Sequence, residues 1–396
     1  MQKRGNLIVA ATDRSLKAIM SLAPKLAFRN LFHDRLRLIA TVIGIVFSIV
    51  LVTVQMGLYV SFERMVTVMI DHADTDLWIV PRGTKCFEDP SLLDERERFR
   101  ALSVPGVASA APLVIGFAQW RTPSGGNTPI FMIGSDPRSE GLRPWNVVEG
   151  NVESLATPGA VVIDRSYFDR LETTRVGDYA EIGDQKVQVV AITNGIRSFT
   201  TTPYVFSSID RARAYTGTAA NKASYFLVRV TPGVNVVQVR DRLRAQMPGT
   251  EVLTTAEFRE RSANFWLFGT GAGAALFAGA LLGLIVGTVI VAQTLYSSTK
   301  EYLNEFATLR AIGSSGSYIH KVIIYQALLS AVIGFSLAAA IGWIVVLATA
   351  DTALPVVITP WMTAILLVLT VLMCVLSAIA AIVKVMRIDP AVVFTR

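Results

Sequence analysis

Four long stretches of this sequence carry no charged side chain, and nothing else constrains the fold as much: residues 38–62, 262–299, 322–350 and 352–383. A helix needs roughly 20 mostly apolar residues to cross a hydrocarbon layer about 30 Å thick. An apolar helix buried in a soluble core rarely runs longer, and it does not recur four times in one chain. The last two stretches are separated only by Asp351 and a short segment with Pro355 and Pro360, which predicts a helical hairpin. With 52% hydrophobic residues overall, the chain is too apolar for a soluble protein and too polar to be all membrane. The expected fold is a membrane protein with four transmembrane α-helices, one and then three, and a large α+β extracytoplasmic domain between helices 1 and 2.

The predicted division is an N-terminal cytoplasmic or interfacial arm (1–37), spans at 38–62, 263–297, 322–350 and 360–383, the outer domain at 63–262, a cytoplasmic segment at 298–321, a short outer turn at 351–359 and a cytoplasmic tail at 384–396. Orientation follows from the basic residues, because short flanking segments rich in Lys and Arg stay in the cytoplasm. The arm holds Lys3, Arg4, Arg14, Lys17, Lys25, Arg29, Arg35 and Arg37 against Asp13 and Asp34 alone. From Glu63 to Arg261 there are 23 basic and 24 acidic residues, which leaves 14 and 6 elsewhere. Both termini are therefore expected inside. The net charge of +7 reads as a topology signal, so no nucleic-acid partner is implied.

The first span begins too late, and is too long, for a cleaved signal peptide. Before it, Leu16, Ile19, Met20, Ala23, Leu26, Leu31 and Phe32 recur at near-helical spacing among basic residues. They suggest an arm lying on membrane lipids, with a disordered tail as the alternative because Pro24 interrupts the run. Cys86 and Cys374 fall in different environments and are not expected to bridge. Runs at 77–80, 107–120, 129–133, 160–163, 185–192 and 224–230 read as strands, with helices at 165–172 and 234–247. The flanks 63–71 and 254–265 have helical character, so spans one and two are expected to continue outward as a stalk.

Span two carries Gly279, Gly283 and Gly287 at four-residue spacing, with Gly271 and Ala275 in the same register. Span three carries Ser330, Gly334, Ala338 and Gly342. Small residues on one helix face permit close helix approach in lipid, either within the chain or between two copies. Between the two spans, Lys300 to Lys321 reads as a helix near the inner surface. Tyr302, Phe306, Leu309 and Ile312 share one face, Glu301, Glu305 and Arg310 present charge, and Gly313 is placed to end it. An ordinary solvated surface helix would look the same.

Several chemistries have no counterpart in the sequence. No phosphate-cradling GxxxxGK[ST] loop is present, nor HExxH, CxxC or GxSxG. His33, His72 and His320 are dispersed. Asp71, Asp74 and Asp76 cluster without the glycine and glutamate of an EF-hand and read as a solvated loop. The chain is therefore expected to be no enzyme, with no catalytic residues, no metal site and no cofactor of its own.

The segment KEYLNEFATLRAIGSSGSYIHKVIIYQALL, the ending RIDPAVVFTR and the start LAFRNLFHDRLRLIATVIGIVFSIVLVTVQMGL together resemble the permease subunits of MacB, LolC and FtsX-type ABC systems, DevC-like exporter permeases most closely. The resemblance covers nearly the whole chain. It implies a multi-pass protein of the bacterial inner membrane that pairs with a second permease copy and binds a cytoplasmic ABC ATPase dimer, which itself holds the ATP and Mg. The segment between spans two and three would be the coupling helix on that ATPase, which points to Lys300, Glu301, Glu305, Phe306, Leu309, Arg310, Ala311 and Gly313. SSGSYIH after Gly313 is less basic than is common at that place. A periplasmic adaptor of the membrane-fusion type, an outer-membrane channel and export of a lipid-like or amphiphilic compound are implied too. FtsX-like regulation of a cell-wall hydrolase and LolC-like lipoprotein extraction are the alternatives.

Overall fold

The computed structural model describes residues 24–89, 91–136, 141–301, 316–350, 352 and 354–386. Four helices are long and apolar enough to cross a membrane: span one, Arg35–Asp71, span two, Ala272–Glu301, span three, Gly316–Thr349, and span four, Pro360–Met386. The chain divides into two compact units. One holds the spans up to Tyr59, from Ala275 to Ala350 and from Val356 onward; the other holds Val60–Ala274 and Asp351–Pro355.

In the membrane unit every span contributes to a shared apolar core: Ile45 and Ile49, Val291 and Leu295, Ile323 and Ala331, Met373 and Ala378. Large apolar side chains also point outward, among them Phe47, Leu282, Ile344 and Ile365. In water such a surface would be prohibitively apolar, and in a bilayer it is the solvent-matched face. Residues 24–33 are helical, with Ala27 buried against Val322 while Phe28 and Phe32 lie exposed, their rings 4.4 Å apart. Residues 16–23 of the expected arm lie outside the described residues.

The second unit is α+β. Its strands are β1 Leu77–Pro81, β2 Leu93–Asp94, β3 Val107–Arg121, β4 Asn127–Ser135, β5 Val147–Gly150, β6 Ala160–Asp164, β7 Tyr179–Ile182, β8 Gln185–Thr193, β9 Tyr204–Ser208, β10 Lys222–Ala223, β11 Tyr225–Val230 and β12 Thr250–Thr254. The main sheet runs β12-β1-β11-β3-β4-β9-β6-β8-β5, with β7 against β3 and β8, while β2 and β10 form a separate pair. Most neighbours are antiparallel, but β4 with β9 and β6 with β8 are parallel.

Both faces of this sheet are covered, so β1 is buried at every residue. Side chains alternate across a strand, and β1 sends Leu77 and Ile79 into one core while Trp78 and Val80 enter the other. The first core is roofed by helices Arg96–Leu102, Ile209–Thr216 and Val236–Gln246 through Ala101, Ala212, Val239 and Leu243. Gly134 on β4 leaves room for this roof, since a Cβ there would collide with that of Ala212. The opposite core takes Met69 and Ile70 from the outer end of span one and Phe258 from helix Thr255–Asn264. A capping box starts that last helix, Thr254 accepting from the Glu257 N–H while the Glu257 carboxylate accepts from the Thr254 N–H, which satisfies two otherwise unpaired donors.

The uncharged window 262–299 is not one continuous helix. After Asn264 the backbone widens into a π-helical turn, Phe265–Gly269, and then breaks at Gly271, whose φ is +80°. Hydropathy does not register this break, because only glycine adopts that backbone conformation without strain. Gly271 therefore stands outside the small-residue register of span two, and Gly273 lies against Leu267 of the same turn instead of a second helix.

Candidate functional site

Three glycines of span two and two of span three face span one. A Cβ on Gly279 would sit 2.7 Å from Gln55 Nε2, one on Gly283 3.0 Å from Leu51 Cδ2, and one on Gly287 would overlap Ser48. On span three, Gly334 opposes Ile45 at 2.5 Å and Gly342 opposes Thr53 at 3.4 Å. Ala338 and Ser330 are fully buried, Ala338 in the four-helix core. The Ser330 hydroxyl has no hydrogen-bond partner among the described residues. One hydroxyl bond reinforces the seam: Ser48 Oγ donates to the Gly283 carbonyl at 2.7 Å. Within the one chain described, Gly279, Gly283, Gly287, Gly334 and Gly342 therefore make intrachain contacts, and packing between two copies is not tested by them.

At one end of span one, Arg37 pairs with Asp34 at 3.3 Å and with Glu301, the last residue of span two. Lys300 beside it is exposed. Glu305, Phe306, Leu309, Arg310, Ala311 and Gly313 lie outside the described residues. Of the predicted coupling residues, Lys300 and Glu301 alone can be placed, and Glu301 is tied to span one.

The far end of the same helix enters the α+β unit. Arg259 reaches Glu63 at 3.4 Å and Asp71 at 3.1 Å, so a single guanidinium bridges two turns of span one's outer extension to helix Thr255–Asn264. Beneath it Ser262 Oγ donates to the Val66 carbonyl at 3.3 Å. Phe258 packs on Trp78, with ring centroids 5.1 Å apart. Of the aspartates expected to be solvated, Asp71 and Asp74 are exposed and pair at the surface with Arg259 and with Arg229 at 2.9 Å, while the half-buried Asp76 accepts from the Val230 N–H at 2.8 Å.

A cleft of about 300 Å³ in the α+β unit, which no sequence pattern reveals, is bounded by Lys85, Cys86, Glu88, Asp89, Phe117, Phe131, Tyr204, Phe265 and Trp266. Tyr225 donates its hydroxyl toward the carbonyls of Phe87 at 2.9 Å and Asp89 at 3.0 Å, which fixes the loop carrying Glu88. Glu88 keeps part of its surface open to the cleft, while its carboxyl group is drawn between Trp266 Nε1, donating at 3.0 Å, and the Tyr204 hydroxyl, donating at 3.2 Å. Burial pushes this carboxyl above its ordinary range, against the pull of those two donors. Burial and the neighbouring Glu88 charge push the Cys86 thiol up to about 12, so it is no nucleophile. The π-helical turn presents Trp266 and Phe265 to this cleft, a local widening of the kind often found at functional positions.

Comparison with known proteins agrees with this layout. The family described as MacB-like periplasmic core domain matches residues 38–246, and that described as FtsX-like permease C-terminal matches residues 277–390. No curated protein gives a significant match. Among solved structures, the periplasmic region of MacB from Actinobacillus actinomycetemcomitans is similar at 10% identity over 48% of this chain and 94% of its own, with a TM-score of 0.36. The extracellular domain of the noncanonic ABC-type transporter YknZ from Gram-positive bacteria is similar at 14% identity over 45% and 98%, TM-score 0.33. A domain of a permease from Porphyromonas gingivalis is similar at 14% identity over 47% and 89%, TM-score 0.31.

Proposed function

Since this chain belongs to the MacB/FtsX/LolC-type superfamily of ABC permeases, a family of multi-pass, non-catalytic subunits that work with an ABC ATPase, we propose that it transmits force mechanically from that ATPase to its outer domain. In this reading both termini are cytoplasmic in a bacterial inner membrane and a second permease copy completes the complex. ATP and Mg are bound by the ATPase pair, whose closure pushes the segment between spans two and three. The outer domains respond, expelling a lipid-like or amphiphilic compound through a periplasmic adaptor of the membrane-fusion type and an outer-membrane channel.

One observation carries this proposal: span one is an unbroken helix of 37 residues. At 1.5 Å per residue it is about 55 Å long, against a hydrocarbon layer of about 30 Å. It holds Glu301 through Arg37 at one end and Arg259 through Glu63 and Asp71 at the other. A continuous helix with anchored ends passes displacement along its axis, because a packed helix moves as a rigid element. The described residues of the spans' apolar windows include no Asp, Glu, Lys, Arg or His for a polar pathway, which supports handling of the substrate outside the bilayer. The test is ATPase activity and assembly of the reconstituted complex with Glu305→Ala and Phe306→Ala. Loss of substrate-stimulated hydrolysis is expected. Unaltered activity and assembly would refute the coupling role.

A further inference from the structure

The cleft at Glu88 has a composition that suits one class of ligand. Phe117 stands 59% exposed at its mouth on a strand whose preceding residues are buried. Its ring meets Phe131 edge-on at 5.0 Å, and Phe131 in turn meets Tyr204 at 5.7 Å. On the other wall Trp266 lies 5.1 Å from Phe265 and 4.3 Å from Phe199. An exposed aromatic ring costs free energy in water, and here several rings converge on one carboxyl group.

We propose that this cleft binds a small hydrophobic organic cation, a quaternary or tertiary ammonium carried on an apolar body, with Glu88 as counter-ion and Phe117, Phe131 and Trp266 as its aromatic walls. Ring faces carry negative electrostatic potential and attract a weakly hydrated cation, most strongly where water is excluded. The two donors on Glu88 come from side chains of the same wall and favour its ionised form, while burial opposes ionisation. An arriving cation tips that balance and pairs with the carboxylate. A neutral acyl chain would seal the carboxyl group away from water without pairing it. A metal ion is poorly served, because no group of three His, Cys, Asp or Glu side chains among the described residues is placed to hold one. Two carboxylates, Glu88 and Asp89, line the cleft against one ammonium, Lys85, so its formal charge also favours a cation.

As a substrate site this rests on the reading that cargo is handled by the outer domain. Binding needs no ATPase, so the two ideas fail separately. The experiment is equilibrium dialysis of the full chain in lipid nanodiscs, without ATPase or ATP, using benzyltrimethylammonium as probe and empty nanodiscs as blank. Saturable binding is expected, weakened roughly tenfold or more by Glu88→Gln, as for loss of a desolvated ion pair, and by Phe117→Ala. Benzenesulfonate, of similar size and opposite charge, is expected not to compete. Absence of saturable binding, equal binding by the folded Glu88→Gln variant, or effective competition by benzenesulfonate would each overturn the proposal. The competition arm uses the wild-type protein and so does not depend on how any variant folds.

Discussion

Replacing Gly287 by Ala tests whether spans one and two pack as closely as their small residues suggest. The added Cβ would overlap Ser48 and lie 3.0 Å from Met373 Sδ. Ser48 is fully buried and its hydroxyl is committed to the Gly283 carbonyl at 2.7 Å, so it has nowhere to turn without breaking that bond. Overpacking of this kind costs about 1–3 kcal/mol, and an interhelical hydrogen bond in a membrane is worth about 0.6 and at most about 1.7 kcal/mol. Against these stands the better helix propensity of alanine, about 1 kcal/mol in water. The steric terms win, and a net loss of about 1–3 kcal/mol is expected. Gly342→Ala is the control. Its new Cβ would find Thr53 at 3.4 Å and Ile358 at 3.6 Å, ordinary contacts, so only the propensity term remains and the variant should match or slightly exceed wild type. Reversible unfolding by titrating sodium dodecyl sulfate into mixed micelles reads both. A Gly287→Ala variant as stable as wild type, or a Gly342→Ala variant equally damaged, would refute close packing at Gly287.

Two further outcomes follow from the outer domain. Phe258→Ala should destabilise it by about 3–5 kcal/mol, the range for emptying a buried aromatic site, whereas Arg259→Ala, whose ion pairs are about 40% exposed, should cost less than about 1 kcal/mol; thermal unfolding followed by tryptophan fluorescence separates them, and an equal cost would show that the ion pairs hold the helix. Glu88 adds a pH dependence. Its ordinary value is 4.5 and its folded value is raised, so as pH climbs from 4.5 toward the folded value the unfolded chain releases a proton that the folded chain keeps, and stability falls through that window. Cys86 and Tyr204 face the same carboxyl, but Glu88→Gln alone should flatten the fall above pH 4.5. A persisting slope in that variant would assign it to another group.

How much of this was legible in the sequence depends on how far apart the informative residues lie. The spans, the outer domain between the first and second, and six strands follow from local patterning, which charge-free windows and β-rich runs report directly. The strands that escaped are short. β9 begins with the strand formers Tyr204, Val205 and Phe206, but it is only five residues long, and its place between β4 and β6 exists only in the folded sheet. β5 is exposed at all four positions and has no apolar face to betray it. Helix Ile209–Thr216 hides behind arginines, one of which, Arg213, is itself buried. The span-two window misled because a missing charge says nothing about backbone dihedrals at Gly271. The Glu88 cleft was invisible for a different reason: Tyr204 is 116 positions away and Trp266 is 178, so no motif spacing joins them and only the folded sheet does.

The most direct test of the account places a nitroxide on Cys introduced at Asp184, an exposed position in the turn between β7 and β8. The native thiols Cys86 and Cys374 are buried, so background labelling is expected to be low. In the reconstituted complex of permease and ATPase, the distance between the labels of two permease copies is measured by pulsed electron resonance with and without ATP. Transmission through span one predicts a distance distribution that shifts with ATP in the wild type and stays fixed in Phe306→Ala. An outer-domain distance indifferent to ATP in the wild-type complex, with hydrolysis proceeding, would contradict it.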